Sequence, residues 1–101
     1  MNIDIPFDKI VLFCSKWLVC ELSLFGSVLR DDFDATSDID VLVSFSEDAH
    51  PTLFTLARMR NELIQIFGRE VDLLTKRGME MSRNYIRKKT ILDSARTIYV
   101  V

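Results

Sequence analysis

The sequence predicts an α/β domain in which a small mixed sheet of about four strands is flanked by helices. Segments with apolar residues at helical spacing alternate along the chain with short runs that are typical of strands. A length of 101 residues corresponds to one hydrophobic core, so we expect residues 1–101 to form a single domain. Short pieces interrupt the alternation of strands and helices, so we do not expect all strands to pair in parallel.

The N-terminal part of the chain is predicted to form a helix and then a strand. Asp4 and Pro6 are typical of a helix start. Apolar side chains then repeat at helical spacing, at Ile10, Val11, Cys14, Trp17 and Leu18. Residues 21–25 alternate between polar and apolar side chains and stop at Gly26, which predicts a short strand.

The middle of the chain is predicted to contain a short helical piece and a second strand. Residues 28–32 are expected to form one or two helical turns, and residues 34–37 are a cluster of turn formers. Residues 38–45 alternate and include β-branched side chains, which predicts a strand. A loop over residues 46–51 follows.

The second half of the chain is predicted to contribute two helical regions and two strands. Apolar residues over 52–67 indicate an amphipathic helix, with Gly68 where a C-terminal cap belongs. Residues 70–75 read as a third strand and residues 96–101 as the last one. The basic segment between them, residues 79–94, is predicted to be helical, either continuous or broken.

The charges are distributed unevenly along the chain. The net charge of −2 argues against nucleic-acid binding driven by counterion release. Residues 1–57 hold ten acidic and three basic residues, whereas residues 58–101 hold five acidic and ten basic residues. This polarity favours an acidic site beside a basic surface, although it also suits a structural protein with a charged partner.

Neither cysteine content nor hydropathy points to a secreted or membrane protein. Cys14 and Cys20 are too few for a disulfide framework or a zinc site on their own. No apolar run approaches the roughly 18 residues that span a bilayer, and the N-terminus carries an aspartate where a secretory signal carries basic residues. We therefore expect a cytoplasmic protein that does not bind membranes.

A glycine-serine pair followed by spaced aspartates is the feature that indicates chemistry. Gly26 and Ser27 are followed, after ten residues, by Asp38 and Asp40. Glycine permits a tight turn and the close approach of a phosphate. Ser27 is expected at a helix N-terminus, where free N–H groups and the helix dipole attract anions. Arg30, one turn further on, could add positive charge for a triphosphate.

The aspartates are predicted to form a metal site. Asp38 and Asp40 lie two residues apart on a predicted strand, so their side chains point to the same face and repel each other. A divalent cation removes that repulsion, and ligands that are all oxygen suit Mg²⁺ or Mn²⁺. Asp72, in the third predicted strand, could supply a third carboxylate. Three acids beside a phosphate-binding turn indicate a two-metal site for phosphoryl or nucleotidyl transfer.

These motifs resemble a known family. The stretches Leu24-Phe25-Gly26-Ser27-Val28-Leu29-Arg30 and Ser37-Asp38-Ile39-Asp40-Val41-Leu42-Val43 are similar to the nucleotidyltransferases of the DNA polymerase β superfamily, and within it to the minimal nucleotidyltransferase (MNT) group. The resemblance covers nearly the whole chain. It implies the nucleotidyltransferase fold and a metal-dependent transfer of a nucleoside monophosphate to a hydroxyl.

The resemblance also implies a partner and a role for each residue. Members of the MNT group are typically antitoxins encoded beside a helical HEPN ribonuclease toxin, with which they form hetero-oligomers, and they are thought to move AMP from ATP onto a toxin tyrosine. Asp38 and Asp40 would bind two Mg²⁺ ions, Asp72 would bind one and activate the hydroxyl, and Gly26 and Ser27 would hold the triphosphate. Asp31 departs from the glycine of many relatives and adds negative charge near the phosphates.

Two other functions stay open at this point. The chain could be an antitoxin that masks its partner without catalysis, because such a short domain must take its acceptor contacts from the partner. Transfer to a small molecule is a third possibility, but nothing in the sequence resembles a separate domain for it. The sequence contains no set of residues that would support catalysis by a thiol or a histidine.

Overall fold

The computed structural model describes residues 5–26 and 38–101 of the chain. Within these residues four helices and four strands follow one another. They are α1 (Phe7–Trp17), β1 (Val19–Phe25), β2 (Ile39–Phe45), α2 (Leu53–Phe67), β3 (Val71–Thr75), α3 (Lys76–Glu80), α4 (Tyr85–Ser94) and β4 (Arg96–Val100). The predicted α/β class and the four predicted strands are confirmed.

The strands form one mixed sheet in the order β3-β2-β1-β4. Strand β1 is antiparallel to both β2 and β4, whereas β2 and β3 are parallel. A parallel pair needs a crossover connection, and α2 provides it between β2 and β3. The expectation that the strands would not all be parallel is therefore confirmed.

The larger hydrophobic core lies between one face of the sheet and helices α1 and α2. Residues at alternate positions of a strand share a face, so Val41 and Val43 of β2 both point into this core. The helical spacing found in the sequence matches the buried face of α1 at Ile10 and Cys14, which are fully buried, whereas Val11 and Leu18 are exposed and Phe13, which the spacing left out, is buried. The buried members of this core are Ile10, Phe13, Cys14, Val19, Leu22, Leu24, Ile39, Val41, Val43, Met59, Leu63 and Val71.

A smaller core covers part of the opposite face. Phe25 and Leu42 of the sheet pack there with Met79 of α3 and Ile91 of α4. Leu42 lies between Val41 and Val43 in the chain, so the alternation of β2 divides its side chains between the two cores. Asp40 and Leu42, two residues apart, lie on the same face of the strand. The second core therefore borders the acidic residues.

The ends of the two longer helices follow local backbone chemistry. Leu18 adopts a left-handed conformation (φ 58°), so α1 ends at Trp17 and does not include Leu18, which the apolar spacing placed on the helix. Strand β1 starts directly afterwards at Val19, two residues earlier than predicted. Gly68 caps α2 as predicted, with φ 69° and its N–H donating to the Ile64 carbonyl at 2.8 Å.

The basic segment predicted over 79–94 is broken into two helices. The first, α3, starts already at Lys76, because the Thr75 side chain accepts a hydrogen bond from the Gly78 N–H at 3.0 Å. Helix α3 ends at Glu80 and α4 starts at Tyr85. Between them the Asn84 N–H donates to the Ser82 hydroxyl at 3.2 Å, a local turn that replaces the helical pattern.

Some predictions concern residues that the structure does not describe. The helical turns predicted over 28–32, the turn cluster over 34–37 and the helix-start residue Asp4 all lie outside the described residues. Within residues 5–26 and 38–101, no helix has the length and apolar character needed to cross a membrane.

Candidate active site

Two of the predicted acidic residues lie opposite each other on neighbouring strands. Asp40 of β2 and Asp72 of β3 are Cα partners in the parallel register. Partners in a parallel pair point to the same face of the sheet, which here is the face opposite the larger core. Asp72 is exposed and Asp40 is half-buried. The fold thus brings together two carboxylates that lie 32 positions apart in the chain.

Asp38 lies just outside the strand that was predicted to contain it. Strand β2 begins at Ile39, whose N–H donates to the Glu70 carbonyl at 3.0 Å and starts the pairing with β3. Asp38 is the residue before this first bond and is exposed. It therefore lies at the same end of the sheet as Asp40 and Asp72, although its backbone is not part of the strand.

Gly26 lies against the carboxylate of Asp40. It follows Phe25, the last residue of β1, which is the Cα partner of Asp40. The φ of Gly26 is 74°, a conformation that residues with a Cβ adopt only with strain. A Cβ built on Gly26 would also overlap Oδ2 of Asp40. Glycine at this position therefore allows the positive φ at the end of β1 and leaves room for the Asp40 carboxylate.

Ser27 and Arg30, and also Asp31, lie outside the described residues. Their roles at the triphosphate stay predictions from the sequence.

The residues at this end of the sheet fit the chemistry of a magnesium site. Mg²⁺ binds oxygen ligands, keeps several waters and typically takes one or two carboxylates together with substrate phosphates. Asp40 and Asp72 supply carboxylates from paired positions, and Gly26, which lacks a Cβ, leaves room for Oδ2 of Asp40. Across the described part of the chain, no group of three Asp, Glu, His or Cys side chains is already gathered around one ion position. The fit thus rests on the two paired carboxylates.

An arginine that the sequence analysis did not single out contacts the start of β3. Arg60 of α2 donates from Nε to the Val71 carbonyl at 2.9 Å and from a terminal nitrogen to the Glu70 carboxylate at 2.9 Å. Both acceptors directly precede Asp72 in the chain. An arginine on a helix, with its partners more than two turns away, forms no sequence motif, so only the packing of α2 on β3 reveals it.

Cys14 and His50 lie away from the acidic residues. Cys14 is buried in the larger core, and burial raises the pKa of its thiol to about 12. A thiol that stays protonated at neutral pH is a poor nucleophile. His50 is exposed in the loop after β2. Neither residue contributes to the site around Asp40.

A cavity lies at the other end of the same two strands. Its volume is about 710 Å³, and its lining includes Ser44, His50, Thr75 and Arg77. Ser44 lies four residues after Asp40 in β2. At roughly 3.3 Å per strand residue, the two Cα atoms are about 13 Å apart. The cavity is therefore separate from the acidic end of the sheet.

Comparison with known proteins shows the family. The model of the nucleotidyltransferase domain family matches residues 9–96. Among curated relatives, "Putative protein adenylyltransferase MJ0435" from Methanocaldococcus jannaschii is 43% identical over 75 residues, which are 74% of this chain and 78% of the relative. The chain belongs to the nucleotidyltransferase domain family, in agreement with the resemblance found in the sequence.

Solved structures show the same fold. A toxin-antitoxin crystal structure with AMP-PNP superposes with a TM-score of 0.72 at 15% identity and covers 96% of this chain and 75% of that chain. A tri-AMPylated HEPN toxin in complex with an MNT antitoxin, from Shewanella oneidensis, matches with a TM-score of 0.63 at 18% identity, covering 93% of this chain and 69% of that chain. The predicted nucleotidyltransferase fold is thus confirmed.

Proposed function

We propose that this chain transfers AMP from ATP, with Mg²⁺, to a tyrosine hydroxyl of a helical HEPN toxin and thereby acts as its antitoxin. The observation that carries the proposal is the pairing of Asp40 with Asp72 on one face of the sheet, beside a glycine that leaves room for the Asp40 carboxylate. The similar proteins support the acceptor and the nucleotide, because they are named as a protein adenylyltransferase and as an antitoxin bound to an AMPylated HEPN toxin.

The proposed reaction is a substitution at the α-phosphorus of ATP. The tyrosine oxygen forms a bond to this phosphorus while the bond to the bridging oxygen breaks, and diphosphate leaves. The hydroxyl proton must move to a base, and Asp72 is the proposed base because its carboxylate is exposed on the edge strand, open to an incoming acceptor. The products are an AMP-tyrosine phosphodiester and diphosphate.

Asp40 and Asp72 are the residues that would hold Mg²⁺, and Asp38 would join them as the family resemblance implies. When bound, the metal ions neutralise charge on the phosphates and polarise the reacting phosphoryl group. Asp40 is fixed within β2 between two paired strands, so it orients the nucleotide from the rigid centre of the sheet. Gly26, with Ser27 and Arg30 beyond it, would hold the triphosphate, as the family resemblance implies.

The proposal is tested by following the label from ATP. The chain is incubated with Mg²⁺ and its cognate HEPN protein, using ATP labelled at either the α- or the γ-phosphate. We expect the toxin to gain the α-label and not the γ-label, with diphosphate released in equal amount. Transfer of the γ-label would indicate a kinase, and transfer of neither label would contradict the proposed enzyme.

Neutralisation by masking is a second candidate function. The described surface exposes several large apolar side chains, which favours contact with another protein. Leu53 and Phe54 at the start of α2 are both 84% exposed, and Ile86 at the start of α4 is 83% exposed. A variant that binds the toxin without transferring AMP separates this function from catalysis.

A further inference from the structure

We propose that Arg60 is a positioning residue of the active site. It fixes the edge strand β3 in the register that places Asp72 opposite Asp40. The inference rests on the proposed function, because it assigns to Asp72 a part in the metal and acceptor site. The active site would then depend on a residue of α2 as well as on the glycine-serine turn and the aspartates.

Strand β3 needs such an anchor because it is short and lies at an edge. It has five residues and pairs only with β2 in the sheet formed by the described residues. The backbone groups on its outer side therefore lack a neighbouring strand. An edge strand presents N–H and C=O groups without ladder partners on one side, so contacts from other elements can fix it there.

Arg60 supplies contacts on this outer side. On the side of β3 that faces β2, the Ile39 N–H donates a hydrogen bond to the Glu70 carbonyl at 3.0 Å. Successive carbonyls of a strand point in opposite directions, so the next one, that of Val71, points outward. Arg60 Nε donates to this carbonyl at 2.9 Å. Residues 70 and 71 are thus held from β2 on one side and from α2 on the other.

The second contact of Arg60 fixes its guanidinium group. A terminal nitrogen lies 2.9 Å from the Glu70 carboxylate. Both groups of this ion pair are well exposed, so the pair contributes little stability by itself. Its geometric effect is to orient the planar guanidinium so that Nε faces the Val71 carbonyl. Lysine lacks the planar fork of donors that faces both acceptors at once, so it does not reproduce this arrangement.

Register is what links Arg60 to the acidic site. Side chains alternate along a strand, so a slip of β3 by one residue would turn Asp72 to the other face. The position opposite Asp40 would then be taken by Val71 or Leu73, both of which pack with the larger core in the observed register. Because Asp72 directly follows the residue that Arg60 holds, loss of this contact is expected to act on Asp72 first.

The test measures Mn²⁺ binding and not AMP transfer. The full chain with a non-hydrolysable ATP analogue, and the analogue alone, are titrated with Mn²⁺, and the free Mn²⁺ that the protein removes beyond the analogue is followed by electron paramagnetic resonance. We expect Arg60→Gln and Arg60→Lys to weaken Mn²⁺ binding about tenfold or more, as losses of groups that support metal ligands do. Glu70→Gln keeps the bond to the Val71 carbonyl and should have a smaller effect.

A second readout and a matched control separate positioning from general stability. Amide hydrogen exchange in the Arg60 variants should increase over residues 71–74 and stay unchanged in β1. The control is Glu62→Gln, on the same helix, which weakens the contacts of Glu62 with Lys16 Nζ at 3.0 Å and Trp17 Nε1 at 3.1 Å. We expect this control to bind Mn²⁺ as the unaltered protein does.

The outcomes distinguish this inference from the proposed function. If the unaltered protein binds Mn²⁺ and the Arg60→Lys and Arg60→Gln variants bind it equally well, the positioning role is wrong and the proposed function stands. An equal rise of exchange in β1 and β3 would mean general destabilisation and would also overturn the role. If the unaltered protein with the ATP analogue binds no Mn²⁺, both the proposed function and this inference fail.

Discussion

Asp40→Asn is expected to lower the rate of AMP transfer by about a thousandfold while the fold is retained. Asparagine has nearly the same shape as aspartate but carries no charge, so it weakens the hold on a divalent cation. Metal ions supply several kcal/mol of transition-state stabilisation, and about 4 kcal/mol corresponds to roughly a thousandfold in rate. The α-label assay on the HEPN partner measures the loss.

The control for this prediction is another aspartate changed in the same way. Asp48 is exposed in the loop after β2, at the other end of the strand from Asp40. Asp48→Asn should transfer AMP at the unaltered rate. Full activity of Asp40→Asn would contradict the assigned site. If Asp40→Asn binds the toxin and still protects cells, masking is sufficient for neutralisation.

Gly26→Ala is expected to lower AMP transfer by about a hundredfold and to destabilise the fold. The positive φ of Gly26 makes any L side chain unfavourable by about 1–2 kcal/mol. The new methyl group would also overlap Oδ2 of Asp40, so the carboxylate or the end of β1 must shift. Displacement of a reacting group by about 1 Å can cost roughly a hundredfold in rate.

Gly68 offers a matched control for the backbone effect. Its φ of 69° is close to that of Gly26, but among the described residues, its two chain neighbours aside, no atom lies within 4 Å of a Cβ built on it. Gly68→Ala should therefore show the loss of stability from φ alone, about 1–2 kcal/mol in urea unfolding, with unchanged AMP transfer. Equal activity losses in the two variants would mean that the overlap with Asp40 has no functional effect.

Much of the fold could be predicted because local patterns and packing agree. The apolar spacing identifies part of the buried face of each longer helix, Ile10 and Cys14 in α1 and Leu63 in α2, and Gly68 ends α2 as its lack of a side chain allows. The boundary between α1 and β1 was less accurate, because Leu18 takes a left-handed conformation that few leucines adopt. Helix α3 starts before the predicted segment because of a side-chain hydrogen bond at Thr75, and the segment breaks at the local turn in which the Asn84 N–H donates to the Ser82 hydroxyl.

The sequence predicts those features of the site that depend on residues close together in the chain. A motif can show that Asp38 and Asp40 lie close together, and the strand pattern around Asp72 suggests a neighbouring strand. The register that pairs Asp72 with Asp40 depends on the parallel arrangement of β2 and β3, which is a property of the whole sheet. The contact of Arg60 with Val71 depends in turn on how α2 packs on that sheet, so no local pattern contains it.

The location of a bound metal ion tests the central claim most directly. Crystals of the chain grown with Mn²⁺ and a non-hydrolysable ATP analogue would show the ion by its anomalous scattering. We expect the Mn²⁺ signal between the carboxylates of Asp40 and Asp72, with the triphosphate beside Gly26. A nucleotide bound with its Mn²⁺ in the cavity near Ser44 and Arg77, or anywhere away from Asp40, would contradict the claim.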